Sequence, residues 1–235
     1  MNIPFVKMQA QGNDFVILDG MDDTLPALTQ AFIKHICDRH LGMGCDQLLV
    51  LQASDKADAL MLIYNADGSQ AANCGNGLRC VGDLLMRKLD ADQVSIALAD
   101  RVVEAKRTSQ GVQVAMGKAN IEEVSDDYTD VLIGNPHRVY FKNPQAFPER
   151  NVETIHEYDD KHAVISIVER GAGKTLACGS GACATAVAIW HKTSAVNPLI
   201  IHMPGGDVVV SGDVDSLVVQ GEVHHVFSGS FQWVC

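Results

Sequence analysis

Two short stretches carry most of the chemistry in this chain: "NCGNGLRC", residues 73–80, and "ACGSGACA", residues 177–184. Each sets a cysteine directly before a glycine-rich turn that leads into a helical pattern. A thiol placed there faces the free N–H groups of the first helical turn and the positive end of the helix dipole. Such placement can lower a thiol pKa from about 8.5 to roughly 3.5–7.5, and the same N–H groups can hold a carboxylate. Two such helix starts set opposite each other would hold one anion with a thiol on either side. That arrangement suits inversion at a carbon next to a carboxylate. One thiolate removes the proton from one face, the other thiol delivers a proton to the opposite face, and the backbone dipoles stabilise the developing charge. The expectation is that Cys74 and Cys178 form one active site.

The two stretches belong to a longer internal repeat. Nine residues before Cys74 stands Asn65, in NADGSQAANC, and nine before Cys178 stands Glu169, in ERGAGKTLAC. Eighteen further back stand Gln47 and Asn151, and upstream Gly12-Asn13 and Gly134-Asn135 each precede a strand-like run. After the helices, VVEAKRTSQGVQVAMG lines up with VVVSGDVDSLVVQGE. Duplicated halves with polar residues at matching stations bring those residues together at a domain boundary, where ligand pockets usually form. Two thiols, several amides, the carboxylate of Glu169 and the guanidinium of Arg170 would line that cleft.

The elements that must position these groups are mostly strands. FVKM, DFVILD, QLLVL, ALMLIY, VSIAL, RVVEA and VQVAM read as strands in the first half, and RVYF, AVISIVE, LIIHM, DVVVS and LVVQG in the second. Helical patterns cover residues 26–40, 75–89 and 179–192. The last, GSGACATAVAIWHK, is apolar nearly all round until His191, the pattern of a helix buried on every side.

With 235 residues, 47% of them hydrophobic and 20% charged, the chain can build its core without staples. A net charge of −11 and a pI near 5.1 argue against a nucleic-acid partner, which needs clustered Lys and Arg. No apolar run is long enough to span a bilayer and no signal peptide opens the sequence, so no membrane partner and a cytoplasmic location are expected. The seven cysteines, Cys37, Cys45, Cys74, Cys80, Cys178, Cys183 and Cys235, are expected to be reduced. GAGKT at 171–175 is no P-loop, because Val168 stands where the first glycine belongs. Zinc lacks a second matching cysteine pair, and C-x-x-C is absent.

With these residues in view, the sequence resembles the diaminopimelate epimerases, through KMQAQGNDF, DRHLGMGCDQ, NADGSQAANCGNGLRC, GNPHRV and ERGAGKTLACGSGACA. The resemblance implies an enzyme of lysine and cell-wall precursor synthesis that interconverts LL- and meso-diaminopimelate without pyridoxal phosphate, metal or nucleotide. It implies that Cys74 and Cys178 are the catalytic pair, and that the N–H groups of Gly75, Asn76, Gly179 and Ser180 hold the carboxylate at the reacting centre. Glu169 would partner the reacting amino group and, with His137, tune the thiols. Asn13, Gln47, Asn65, Asn135, Asn151 and Arg170 would surround the small-molecule amino-acid substrate, Arg170 by bidentate hydrogen bonding.

The implied fold is α/β of the α+β type: two pseudo-symmetric domains, each a curved, mainly antiparallel sheet wrapped around a central helix. The expected division is 1–117 with 226–235, and 118–225. A homodimer is also implied, although Phe227 stands where some members carry a tyrosine linked to dimer formation. Residues 120–151 form a shorter segment than is usual in the family, and Thr154 replaces a frequent aromatic. A related racemase of another amino acid, such as histidine, is the alternative within the enzyme class. A non-catalytic amino-acid-binding protein and a redox sensor are the rivals outside it.

Overall fold

The computed structural model describes residues 1–233; Val234 and Cys235, the last of the expected thiols, lie outside the described residues. The chain divides into two compact units, Met1–Thr108 with the C-terminal segment from Val223, and Ser109–Glu222.

In the first unit β1 (Asn2–Ala10) and β2 (Asn13–Asp19) form a hairpin. Gln11 and Gly12, both at positive φ (50° and 79°), make the two-residue turn that places Asn13 at the head of β2. β3 (Gln47–Gln52) lies parallel to β2, and β4 (Ala59–Asn65) antiparallel to β3. The short β5 (Gln70–Ala71) folds back on β4 before α2 (Gly75–Lys88). β6 (Gln93–Ala97) then returns parallel to β4, and β7 (Val102–Thr108) pairs antiparallel with β6. Helix α2 touches β1 and β2 on one side of the sheet and β6 and β7 at its far end, so the sheet curls around it. Leu78, Val81 and Leu85 of α2 are fully buried.

The second unit repeats this connection pattern. β10 (Tyr128–Ile133) and β11 (Asn135–Tyr140) are antiparallel, β12 (Asn151–Tyr158) is parallel to β11, and β13 (His162–Glu169) is antiparallel to β12. After β14 (Gly173–Thr175) and α3 (Gly179–Thr193), β15 (Leu199–Met203) returns parallel to β13, followed antiparallel by β16 (Gly206–Ser211) and β17 (Leu217–Gly221). β9 (Asn120–Val124) edges β10. α3 touches β10–β12 and β15–β17, and every residue from Gly179 to Trp190 is buried. The expected two similar domains, each a mainly antiparallel sheet around a helix, are what the chain forms.

Two strands finish the units. β18 (His224–Gln232) pairs with β1, so the end of the chain completes the first unit. β8 (Gly111–Gly117) pairs with β17, with Val114 opposite Val219, and belongs to the second unit. The sequence expectation placed the first boundary after 117, at the far end of β8; the division in the structure falls after Thr108, because the buried face of β8 (Val112, Val114, Met116) packs with the second sheet. The expected helix at 26–40 is the shorter α1 (Gln30–Cys37), capped by Thr29, whose Oγ1 accepts from Phe32 N at 3.2 Å.

The units differ on the face away from the central helix. In the first, the link between β2 and β3 carries α1, whose Phe32, Ile33 and Ile36 cover Val16, Leu18, Leu48 and Val50. In the second, β11 and β12 are joined by residues 141–150 alone. The face left without a helix is polar instead. Arg138 makes a bidentate pair with buried Asp130, 2.7 Å at each contact, and its guanidinium lies between the rings of Tyr128 and Phe147, 3.8 and 4.0 Å from their centres.

Candidate active site

In the first unit the expected residues gather at one end of the sheet. β2 and β3 begin there and β4 ends there, Phe15 standing opposite Gln47 and Gln47 opposite Asn65. Gln47 Nε2 donates to Asn65 Oδ1 at 2.9 Å, and Asn65 Nδ2 to Ser69 Oγ at 3.0 Å. α2 starts at the same end. Cys74 is its N-cap in extended conformation (φ −151°, ψ 102°), and its Sγ accepts the N–H of Gly77 at 3.3 Å. Asn76 Nδ2 donates to Asn13 Oδ1 at 3.2 Å, and the same oxygen lies 4.0 Å from Cys74 Sγ. Gly75 and Asn76 open the helix, where backbone N–H groups have no partner one turn earlier.

Two supports of this cluster escaped the sequence reading. Arg79 is completely buried and donates from Nη2 to Asn76 Oδ1 at 3.0 Å and to Gln11 Oε1. The motif ending in CGNGLR contained the signal. Asn13 is held in turn by Asp46, whose Oδ2 accepts from Asn13 Nδ2 at 3.0 Å, and Asp46 and Asp14 share Arg39. Burial works against the Asp14 carboxylate, but the hydrogen bonds from Arg39 and Lys7 prevail and hold it well below the usual range.

The second unit repeats the arrangement. Cys178 caps α3 in the same conformation (φ −138°, ψ 113°), and its Sγ accepts from Gly181 N at 3.3 Å. Gly179 and Ser180 open the helix as Gly75 and Asn76 do. His137 is fully buried, with Nε2 3.1 Å from Ser180 Oγ, and Ser180 Oγ is 3.5 Å from Cys178 Sγ. Asn151 Oδ1 accepts from the backbone N of Arg170 at 2.8 Å, fixing the turn after β13. Asn135 heads β11, two residues from His137, as Asn13 heads β2. Arg170 itself is exposed.

The thiol environments differ from the simple helix-terminus expectation. Cys178 is 7% exposed, and burial pushes its thiol well above the usual value, with the charges of Glu169 and Glu153 adding to burial. Ser180 and the Gly181 N–H oppose that shift without reversing it. Burial likewise raises Glu169, assisted by the like charge of Glu153. Cys74 is only half-buried. Glu153, fully buried on β12, was not among the expected site residues. It occupies the position that Leu49 holds in the first half, 104 residues earlier, the same offset that separates Cys74 from Cys178. Comparing the halves position by position would have revealed it.

The sheet pattern defines a class of fold, the two-domain α/β fold in which each mainly antiparallel sheet wraps a central helix capped by a cysteine. A hydroxyproline epimerase from Agrobacterium vitis shares the fold at a TM-score of 0.73, with 13% identity over 97% of this chain and 92% of its own. A phenazine biosynthesis protein of the PhzF family from Bacillus anthracis does so at 0.74, with 15% identity over 99% of this chain and all of its own. The family model for diaminopimelate epimerase matches residues 5–122 and 125–226. Relatives named diaminopimelate epimerase include one from Erythrobacter litoralis, 32% identical over 99% of this chain and 98% of its own, and one from an Azoarcus species, 35% identical over 99% of each. The chain belongs to the diaminopimelate epimerase family, isomerases that epimerise an amino acid. The Erythrobacter alignment runs over 270 positions against 235 residues here, so that relative carries segments this chain lacks.

Proposed function

We propose that this enzyme interconverts LL- and meso-diaminopimelate in lysine and cell-wall precursor synthesis by a two-base mechanism. One thiol from each unit serves one face of the reacting carbon, and no pyridoxal phosphate, metal or nucleotide takes part. The observation that carries this reading is the duplication of a capped thiol. Cys74 and Cys178 each stand at the N-cap of a central helix and each accept an N–H at 3.3 Å from the third helical residue. One cysteine so placed has structural explanations; two at matching stations of a duplicated fold do the same job twice, as inversion requires.

In this mechanism the opening N–H groups of α2 (Gly75, Asn76) and α3 (Gly179, Ser180) hold the substrate carboxylate and stabilise the charge that develops as the Cα proton leaves. Glu169 receives the reacting amino group. Asn13, Gln47, Asn65, Asn135, Asn151 and Arg170 grip the remainder, and His137 tunes Cys178. Burial keeps Cys178 a thiol near neutral pH, the form that delivers a proton. The cycle also needs the opposite assignment, with Cys178 as thiolate.

The test is incubation with LL-diaminopimelate in deuterium oxide. Wild type forms the meso isomer with deuterium at Cα, and Cys74→Ala and Cys178→Ala each lose epimerisation by at least about a thousandfold, because each removes an acid or base from the transition state. Normal turnover by Cys74→Ala sinks the proposal. The short 141–150 link is the reason to run the same exchange on a panel of amino acids, histidine among them; faster exchange on another substrate would make the enzyme a racemase of that compound. We further place the enzyme in the cytoplasm as a homodimer. Val226 and Phe227 on β18 are exposed apolar residues suited to a self-contact, and light scattering that returned the mass of one 25.3 kDa chain would refute the dimer.

A further inference from the structure

An unbroken run of buried polar groups lies behind Cys178 and extends past His137. Cys178 Sγ is 3.5 Å from Ser180 Oγ, which is 3.1 Å from His137 Nε2, and His137 Nδ1 is 2.9 Å from Glu153 Oε1. The side chains of His137 and Glu153 are both 0% exposed. The direction of the hydrogen bonds is set from the far end. A carboxylate only accepts, so His137 Nδ1–H donates to Glu153. Nε2 is then the acceptor and takes the Ser180 O–H, which leaves Ser180 Oγ to accept from the Cys178 S–H. Each member is oriented to draw a proton away from sulfur.

We infer that Glu153 is a positioning residue for Cys178: it fixes the tautomer and orientation of His137 so that the thiol can alternate with thiolate through Ser180. When the S–H bond breaks, its proton forms a new O–H bond at Ser180 while the original hydroxyl proton passes to His137 Nε2. The products are a thiolate, an intact hydroxyl and an imidazolium held against Glu153. The reverse transfers restore the thiol, and no other reagent is consumed. The inference rests on the reading of Cys178 as one of the reacting thiols.

The duplicated fold supplies its own comparison. The positions of His137 and Glu153 carry Phe15 and Leu49 in the first half, both 0% exposed. The layer beneath a capped thiol therefore packs well as carbon. Burying an acid and an imidazole in its place carries a desolvation cost that packing alone does not demand. The polar pair also sits beneath the more enclosed of the two thiols, where bulk water is least available to take the proton.

The experiment uses the full chain. Its cysteines are alkylated with iodoacetamide across a pH series and each site is read by peptide mass spectrometry, with Cys74 as internal reference. Glu153→Gln is expected to slow alkylation of Cys178 at pH 7.5 about tenfold or more and to move its midpoint upward, with Cys74 within about twofold of wild type and Glu153→Asp recovering part of the rate. On LL-diaminopimelate, Glu153→Gln is expected to lower kcat about tenfold or more and leave KM within about threefold, since the change lies in proton transfer rather than substrate binding. The double variant His137→Phe with Glu153→Leu copies the layer of the first unit, and should fold with the same slowing. If charge repulsion were the whole link between Glu153 and Cys178, loss of the carboxylate would speed alkylation; faster or unchanged alkylation together with unchanged kcat overturns the inference. Normal epimerisation by Cys178→Ala would instead overturn the two-base reading, and the two failures are separately visible.

Discussion

A neutral thiol is the form that burial selects for Cys178, with Glu169 and Glu153 adding to it. This has a consequence for stability that does not depend on substrate. Below about pH 8.5, the usual cysteine value, the thiol is protonated in both folded and unfolded chains. Above that pH the unfolded chain releases the proton and the folded one retains it, so the contribution to stability is lost as pH rises towards the folded value. Urea unfolding between pH 8.5 and 10 is expected to show wild type losing stability more steeply than Cys178→Ala, by up to about 1.4 kcal/mol per pH unit; parallel slopes would contradict it. At this scale the sequence was informative about the residues at the two helix starts and nearly silent about those behind them. The motifs around Cys74 and Cys178 identify themselves by spacing. Glu153 lies inside NVETI, an ordinary strand pattern, and its burial follows only once β12 is set against α3. The helix-terminus argument for an acidic thiol was outweighed at Cys178 by desolvation.

Helices α2 and α3 start alike, yet what lies under their third residues differs. A methyl group added at Gly77 would meet Leu49 Cδ1 at 3.2 Å, and a leucine side chain can turn aside. A methyl group added at Gly181 would run into Glu153 Oε1, far inside van der Waals contact, and that oxygen is engaged by His137. Gly181→Ala is therefore expected to cost about 2 kcal/mol or more and to uncouple His137 from its carboxylate, whereas Gly77→Ala costs about 1 kcal/mol or less. Urea midpoints of the two variants settle the order. The elements were legible where periodicity was strong: α3 was expected at 179–192 and spans Gly179–Thr193, and α2 was expected at 75–89 and spans Gly75–Lys88. α1 is shorter than its amphipathic pattern, because Leu28 packs on the core from the chain leading into the helix. That the second unit does without a matching helix is explained by Arg138, Asp130 and Tyr128, which replace an apolar face needing cover with a self-contained ionic and aromatic layer.

The path of the chain through the two units is the feature that local sequence patterns were least able to reveal. Nothing within VQVAM or RVVEA says that β8 pairs with β17, a hundred residues or more away. The outcome is an asymmetry in how the units are completed. The second unit is continuous, Ser109–Glu222, and contains every strand of its sheet from β8 to β17. The first needs both ends of the chain, because β18 pairs along β1 from Asn2 to Gln9. β18 and the residue after it also bring Phe231 and Trp233 against Phe32, at ring distances of 6.2 and 5.0 Å, and Phe227 against Phe5 at 5.8 Å. Phe231 and Trp233 are partly buried and Phe227 stays half exposed, so each ring contributes less than the roughly 2 kcal/mol of full burial; together with a strand's hydrogen bonds they still make up a large share of the stability of a small domain, about 5–15 kcal/mol. A fragment of residues 109–222 is thus expected to unfold cooperatively by circular dichroism, while residues 1–108 alone remain without a cooperative transition until a peptide of residues 223–235 is added. During synthesis the same logic delays the first unit until the end of the chain is available, so Cys178 reaches its folded surroundings before Cys74 does. Pulse-labelling of amide hydrogens during refolding would show protection in α3 preceding protection in α2; simultaneous protection, or a cooperative fragment 1–108, would refute this order.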